Sequence, residues 1–222
     1  MAIDERLKII NILCKKELSI SSVEAQDLIS HTKAVFDKGM CENFPEREVR
    51  RITTKFRDAG RRSAPWKPTS SRVPGRPQDG ADGNRINRWL LPEDHKFYAD
   101  EVTACLVEVK YYLMALSFLN APLIPSKAFR HNFRWLIEND IDPGAYRDPI
   151  QLIQIDMNEV IKDARTIQSG HLHPLDRGGR HEPSNTFLML ARSNQLQGNL
   201  SLEELLALME EIVLRHKRMR SR

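Results

Sequence analysis

Apolar residues recur at helical spacing through most of the first 160 positions, and the period changes only near the end of the chain. Leu7, Ile10 and Leu13 repeat along one face. Ala25, Leu28 and Ile29 follow Ser21 and Glu24, a pair able to cap each other's backbone at a helix start. Pro45 is placed to open a third helix carrying Val49, Ile52 and Phe56, with Gly60 to stop it. A long helix is predicted from Glu93 or Asp94 to about Asn120, with Tyr98, Val102, Cys105, Leu106, Val109, Leu113 and Leu116 in one stripe. Phe129, Phe133, Leu136 and Ile137 predict a shorter helix over 126–138. Pro149 opens a helical segment with Leu152, Ile155, Met157, Val160 and Ile161. Beyond Arg165 two short strands are predicted, over 165–172 and 185–190, and then a helix from Ala191 or Arg192 to a break at Gly198-Asn199. Ser201 and Glu204 cap a final helix expected to bury Leu202, Leu205, Leu206, Met209, Ile212 and Val213. The fold class is therefore mostly α with a small C-terminal strand–strand–helix unit, an α+β chain.

Composition interrupts this pattern once. Residues 61–92 are rich in Pro, Gly, Ser and Arg, including Arg72, Arg76 and Arg85, and carry too little apolar content for a core of their own. That divides the chain into an N-terminal helical region (1–60), a basic arm or linker (61–92), a central helical region (93–164) and the C-terminal unit (165–222). The formal net charge of +4 favours a polyanionic partner without requiring one. Three widely spaced cysteines form no Cys-x-x-Cys pair, so a reducing, cytoplasmic location is expected. The longest apolar run, 111–119, is too short to span a bilayer, and no membrane association is expected.

Candidate chemistry is concentrated in 170–199, which holds His171, His173, Gly178, Gly179, His181, Asn185 and Asn194. Phosphodiester hydrolysis needs a base to activate water and a cation to neutralise charge on the phosphate. Histidine is the side chain best poised as that base near neutral pH, and oxygen ligands suit Mg²⁺. A strand–loop–strand–helix unit can set a histidine on its first strand opposite a ligand on its helix. His171, Asn185 and Asn194 have that order and spacing.

These residues resemble the HNH (ββα-metal) nucleases: His171-Leu172-His173-Pro174, then Gly178-Gly179, Asn185 and Asn194, with Gln197-Gly198-Asn199 like the helix end of that family. The resemblance covers about 165–200. It implies His171 as general base, Asn185 as a brace for the loop, Asn194 as a metal ligand, and one Mg²⁺ or Mn²⁺ ion. Many members carry Asp or His directly before the base, where this chain has Gly170. Gln168, two positions back and on the same side of a strand, is the candidate replacement ligand, with Asp163 and Asp176 as further candidates. The structural zinc cysteines of many members are also absent. His173, Arg177, Arg180 and Arg192 are candidate phosphate contacts, as Arg offers a bidentate fork to phosphate oxygens. His181 is expected to be structural. The resemblance thus implies an endonuclease on double-stranded DNA, expected to be site-specific, restriction-type and homodimeric. The alternatives are a non-specific or junction-cutting nuclease, and a DNA-binding protein with a degenerate site.

Overall fold

The computed structural model describes residues 1–63 and 85–220. Helices α1 (Ile3–Leu13), α2 (Ser22–Cys41) and α3 (Glu46–Ala59) begin and end close to the predicted signals. Ser21 Oγ accepts from the Glu24 amide while Glu24 accepts from the Ser21 amide at 3.0 Å, so two orphan donors of the first turn are satisfied reciprocally. After α3, strand β1 (Arg62–Ser63) pairs antiparallel with β2 (Ile86–Asn87), Arg62 opposite Asn87 and Ser63 opposite Ile86. The chain therefore leaves and returns at one point. The two ends of the predicted arm or linker are thus neighbours, and residues 64–84 between them lie outside the described residues.

Helix α4 (Glu101–Leu116) is the central element, and every residue from Ala104 to Leu116 is buried. The helix predicted from residue 93 starts later because Asp100 Oδ1 accepts from the Thr103 amide at 2.9 Å, an N-cap, and 93–97 form turns. Nor does it carry a single stripe. With α2, α3, α6 and β4 around it, it is buried on every side. The helix predicted over 126–138 divides into α5 (Lys127–Asn132) and α6 (Arg134–Ile137) at Phe133. The segment from Pro149 becomes helical only at α7 (Met157–Lys162), since Asp148 holds the amides of Ile150 and Gln151 in a turn and Leu152 has φ +57°.

Strands β3 (Ile167–His171) and β4 (Thr186–Leu190) then pair antiparallel over their full length, His171 opposite Thr186 and Ile167 opposite Leu190. Helix α8 (Ala191–Gln197) follows directly, and α9 (Leu202–Arg220) closes the described chain. One hydrophobic core runs from Leu7 to Leu188, so the three ordered regions share it. Phe36, Phe56 and Tyr112 stack at its centre, with Phe56 and Tyr112 centroids 5.6 Å apart. Lys110 is buried with its ammonium 3.9 Å from the Phe187 ring centre and donates to the Pro183 carbonyl, which joins α4 to the hairpin. Burial lowers its pKa to about 8. The last expectation fails in one respect. Of the apolar residues of α9 only Leu205 is buried, and Leu206, Met209, Ile212 and Val213 are exposed.

Candidate active site

The β3–β4 hairpin sorts its residues by alternation. Ile167, Ser169 and His171 share one face, and Gln168 and Gly170 share the other with Phe187 and Met189. The loop between the strands is held by Asn185, which is buried. Its Oδ1 accepts from the His173 amide at 2.7 Å, and its Nδ2 donates to the carbonyls of His173 and Arg180. Both glycines of the loop are required by geometry. Gly178 has φ +89°, and a Cβ on Gly179 would lie 2.1 Å from the His173 carbonyl oxygen. Buried Gln197, on α8, donates from Nε2 to the carbonyls of His171 and Leu172, fixing the end of β3 from the helix side.

A hydrogen-bond chain sets the state of His171. His181, fully buried, has Nε2 2.7 Å from the Gly60 carbonyl, which can only accept, so Nε2 carries the proton. Its Nδ1 then bears a lone pair, and at 3.1 Å it accepts from His171 Nε2. This leaves His171 Nδ1 as the nitrogen able to take a proton. Burial and the nearby Arg88 guanidinium lower the His171 pKa to about 4 and push that of His181 further down, so both rings are neutral at pH 7.

His171 lines a cleft of about 760 Å³ together with Gln168, Ser169, Asp58, Ser63, His95 and the cations Lys55, Arg85, Arg88 and Lys96. Arg88 is 6% exposed and donates to three carbonyls: Gly60 at 2.7 Å, Ala59 at 3.0 Å and Phe97 at 3.0 Å. Two of these are orphan carbonyls at the C-terminus of α3, whose dipole offsets part of the charge. Among the described residues no carboxylate pairs with it. Burial lowers its pKa to about 10, so it stays cationic. Lys55 donates to the carbonyls of Ala164 and Ile167, at the start of β3. Asp58, the acid of the cleft, is shared among Arg57, Arg62 and Arg85. The field in the cleft is positive, which suits a polyanion.

The other predicted residues divide. Arg85 reaches the cleft. Asn194 does not line it, but its Nδ2 donates to Gln168 Oε1 at 2.7 Å. His173 lies in the loop just beyond β3, with Nε2 2.9 Å from the Arg177 carbonyl. Arg177 is clamped on Glu204 of α9, and Arg180 and Arg192 are exposed outside the cleft lining. Asp163 pairs with Arg165, and Asp176 with Lys96 at the cleft rim. Arg72 and Arg76 lie outside the described residues. Sequence reasoning placed Lys55 on a basic helix face and Arg88 in the basic arm without joining either to the histidine site, and it missed Lys96, since nothing local sets these apart from other surface cations.

The place beside the base is filled. A Cβ on Gly170 would lie 2.5 Å from Met189 Cε and 3.1 Å from Asn194 Oδ1, and Met189 is fully buried. Among the described residues no three His, Cys, Asp or Glu side chains converge to hold a metal ion. Gln168 and Asn194 offer neutral amide oxygens, whereas Mg²⁺ is ordinarily held by one or two carboxylates with substrate phosphate. This donor set does not fit a divalent ion held by the protein alone.

Among the described residues no helix is long and apolar enough to cross a membrane. No family model matches the chain, and no curated protein matches it. Solved structures that match include one titled "Crystal structure of a type II restriction endonuclease", 22% identical, with a TM-score of 0.46, covering 60% of this chain and 62% of that one. This chain thus spans less than two thirds of that protein's length, and a likeness of this extent fixes neither its fold nor its activity.

Proposed function

We propose that the cleft over β3 hydrolyses phosphodiester bonds of double-stranded DNA, with His171 as general base, and that the chain is an HNH-type endonuclease of restriction-like, site-specific action. The observation that carries this reading is the relay from Gly60 through His181 to His171, set in a cleft lined by Lys55, Arg85, Arg88 and Lys96. The phosphate sits among these cations, and Arg88 supplies positive charge that no carboxylate of the described chain neutralises. His171 Nδ1 takes a proton from the attacking water. The new P–O bond forms as the bond to the leaving 3′-oxygen breaks, and that oxygen takes up a proton from solvent, giving a 5′-phosphate and a 3′-hydroxyl. Asn185 holds the loop that turns His171 into the cleft, and Gln168 and Asn194 stand beside it on the neighbouring face. The resemblance also implies one Mg²⁺ or Mn²⁺ ion, and cutting both strands implies two copies of the chain. The amide donors of Gln168 and Asn194 are uncharged and do not by themselves hold that ion.

Plasmid incubated with the purified protein and Mg²⁺ or Mn²⁺ tests the reading. Discrete fragments are expected, whereas a smear would favour non-specific cutting. His171→Ala is expected to lose roughly 10²–10⁴-fold in cleavage rate with DNA binding retained, the usual scale for a lost general base. Undiminished cutting by that variant overturns the assignment. A wild-type protein that retards DNA without cutting it would favour the DNA-binding alternative.

A further inference from the structure

Helix α9 leaves the body of the protein after its first turn. Leu205 packs against the body, and the bidentate pair of Arg177 with Glu204 pins the helix start. From Leu206 onward the helix lies open. Met209 is 44% exposed, Ile212 43% and Val213 50%, with Leu206 and Leu208 also exposed. A wheel at 100° per residue puts Leu206, Leu208, Met209, Ile212, Val213 and Met219 on one face, interrupted by His216 and Arg220, and Glu203, Glu210, Glu211 and Arg218 on the other, with Leu214 among them. Within that face Leu205, Met209, Ile212, His216 and Met219 follow in steps of four, three, four and three, the spacing of a two-helix seam. Soluble monomers rarely leave so continuous an apolar surface in water.

The charges say what covers it. The first half of α9 carries Glu203, Glu204, Glu210 and Glu211 with no Lys or Arg, and the second half carries Arg215, Lys217, Arg218 and Arg220 with no acid. Two α9 helices laid parallel would set like charges side by side. Laid antiparallel, each acidic half faces a basic half, and one two-fold axis satisfies both at once. The geometry agrees, because 19 residues make a rod of roughly 28 Å and antiparallel pairing keeps the two bodies at opposite ends of it. We infer that α9 is a homodimerisation helix whose Leu206–Met219 face pairs antiparallel with the same face of a second copy.

Sedimentation velocity on the full chain, without nucleic acid, is the test, and it does not depend on the reading of the cleft. The wild type is expected to sediment as a dimer at micromolar concentration. Met209→Asp with Ile212→Asp is expected to give a monomer with an unchanged far-UV spectrum, since both side chains are exposed in the single chain. A monomeric wild type, or a double variant that remains dimeric, overturns the inference. Orientation is read separately in a Cys41→Ser background. Mixed Met209→Cys and His216→Cys proteins are expected to cross-link 209 to 216, and a dominant 209–209 disulfide overturns the antiparallel arrangement.

Discussion

Gly170 stands between a base and a helix, and buried Met189 occupies the space that a side chain there would need. Gly170→Asp alone must displace Met189 and is expected to cost about 1–3 kcal/mol by overpacking. Combined with Met189→Ala, it places a carboxylate beside Asn194 and Gln168. Titration calorimetry without DNA is expected to show no Mg²⁺ binding by the wild type and measurable binding by the double variant; equal binding by both would mean that the uncharged donors already hold the ion. The residues legible in the sequence were those whose roles are local. Asn185 braces its own loop, and the two glycines answer to a backbone only a few residues away. Arg88 and Lys55 could not be read this way. Their roles come from chain segments 28 and 112 positions distant, Gly60 for one and Ile167 for the other.

At the scale of elements, the hairpin and α8 depend on a residue outside them. Asp148 is fully buried: Oδ1 accepts from the amides of Ile150 and Gln151, and Oδ2 accepts from the Leu190 amide at 2.8 Å, where β4 passes into α8. Asp148→Ala leaves three amides without that partner, and a loss of about 3 kcal/mol is expected from the shift in the urea midpoint. A loss under about 1 kcal/mol would show that water or relaxation replaces these bonds. The same carboxylate explains why periodicity misled over 149–156. Leu152 and Ile155 are spaced as in a helix, but a side chain competing for backbone amides turned the segment before a helix could form. Helix α9 misled in the opposite sense. Its stripe was read correctly as apolar, but one chain alone does not bury it.

For the whole molecule, burial of two neutral histidines ties stability to pH. The His171 pKa falls from an ordinary 6.5 to about 4, and that of His181 lies well below 6.5. Between these limits the unfolded chain binds protons that the folded chain does not, so stability rises with pH through the window and is fully present above about 6.5. Glu108, whose carboxyl is pushed up by burial, acts with the opposite sign above 4.5 and offsets part of the effect. The melting temperature is expected to fall by several degrees from pH 7 to pH 4.5, and His181→Gln should flatten that fall; an equally steep profile in the variant would remove His181 from the explanation.

The pairing of β1 with β2 has a consequence of another kind. Ser63 and Ile86 are direct partners across a ladder, about 5 Å apart in such a pair, and they stand beside a cleft lined by Ser63, Arg85 and Arg88. Closing a loop costs only about 0.6 kcal/mol more for each doubling of its length. Because the ladder holds Ser63 and Ile86 as neighbours, a change in the number of residues between them is expected to leave the core, the relay and the cleft in place, a consequence that a lengthened variant with an unchanged melting temperature would bear out.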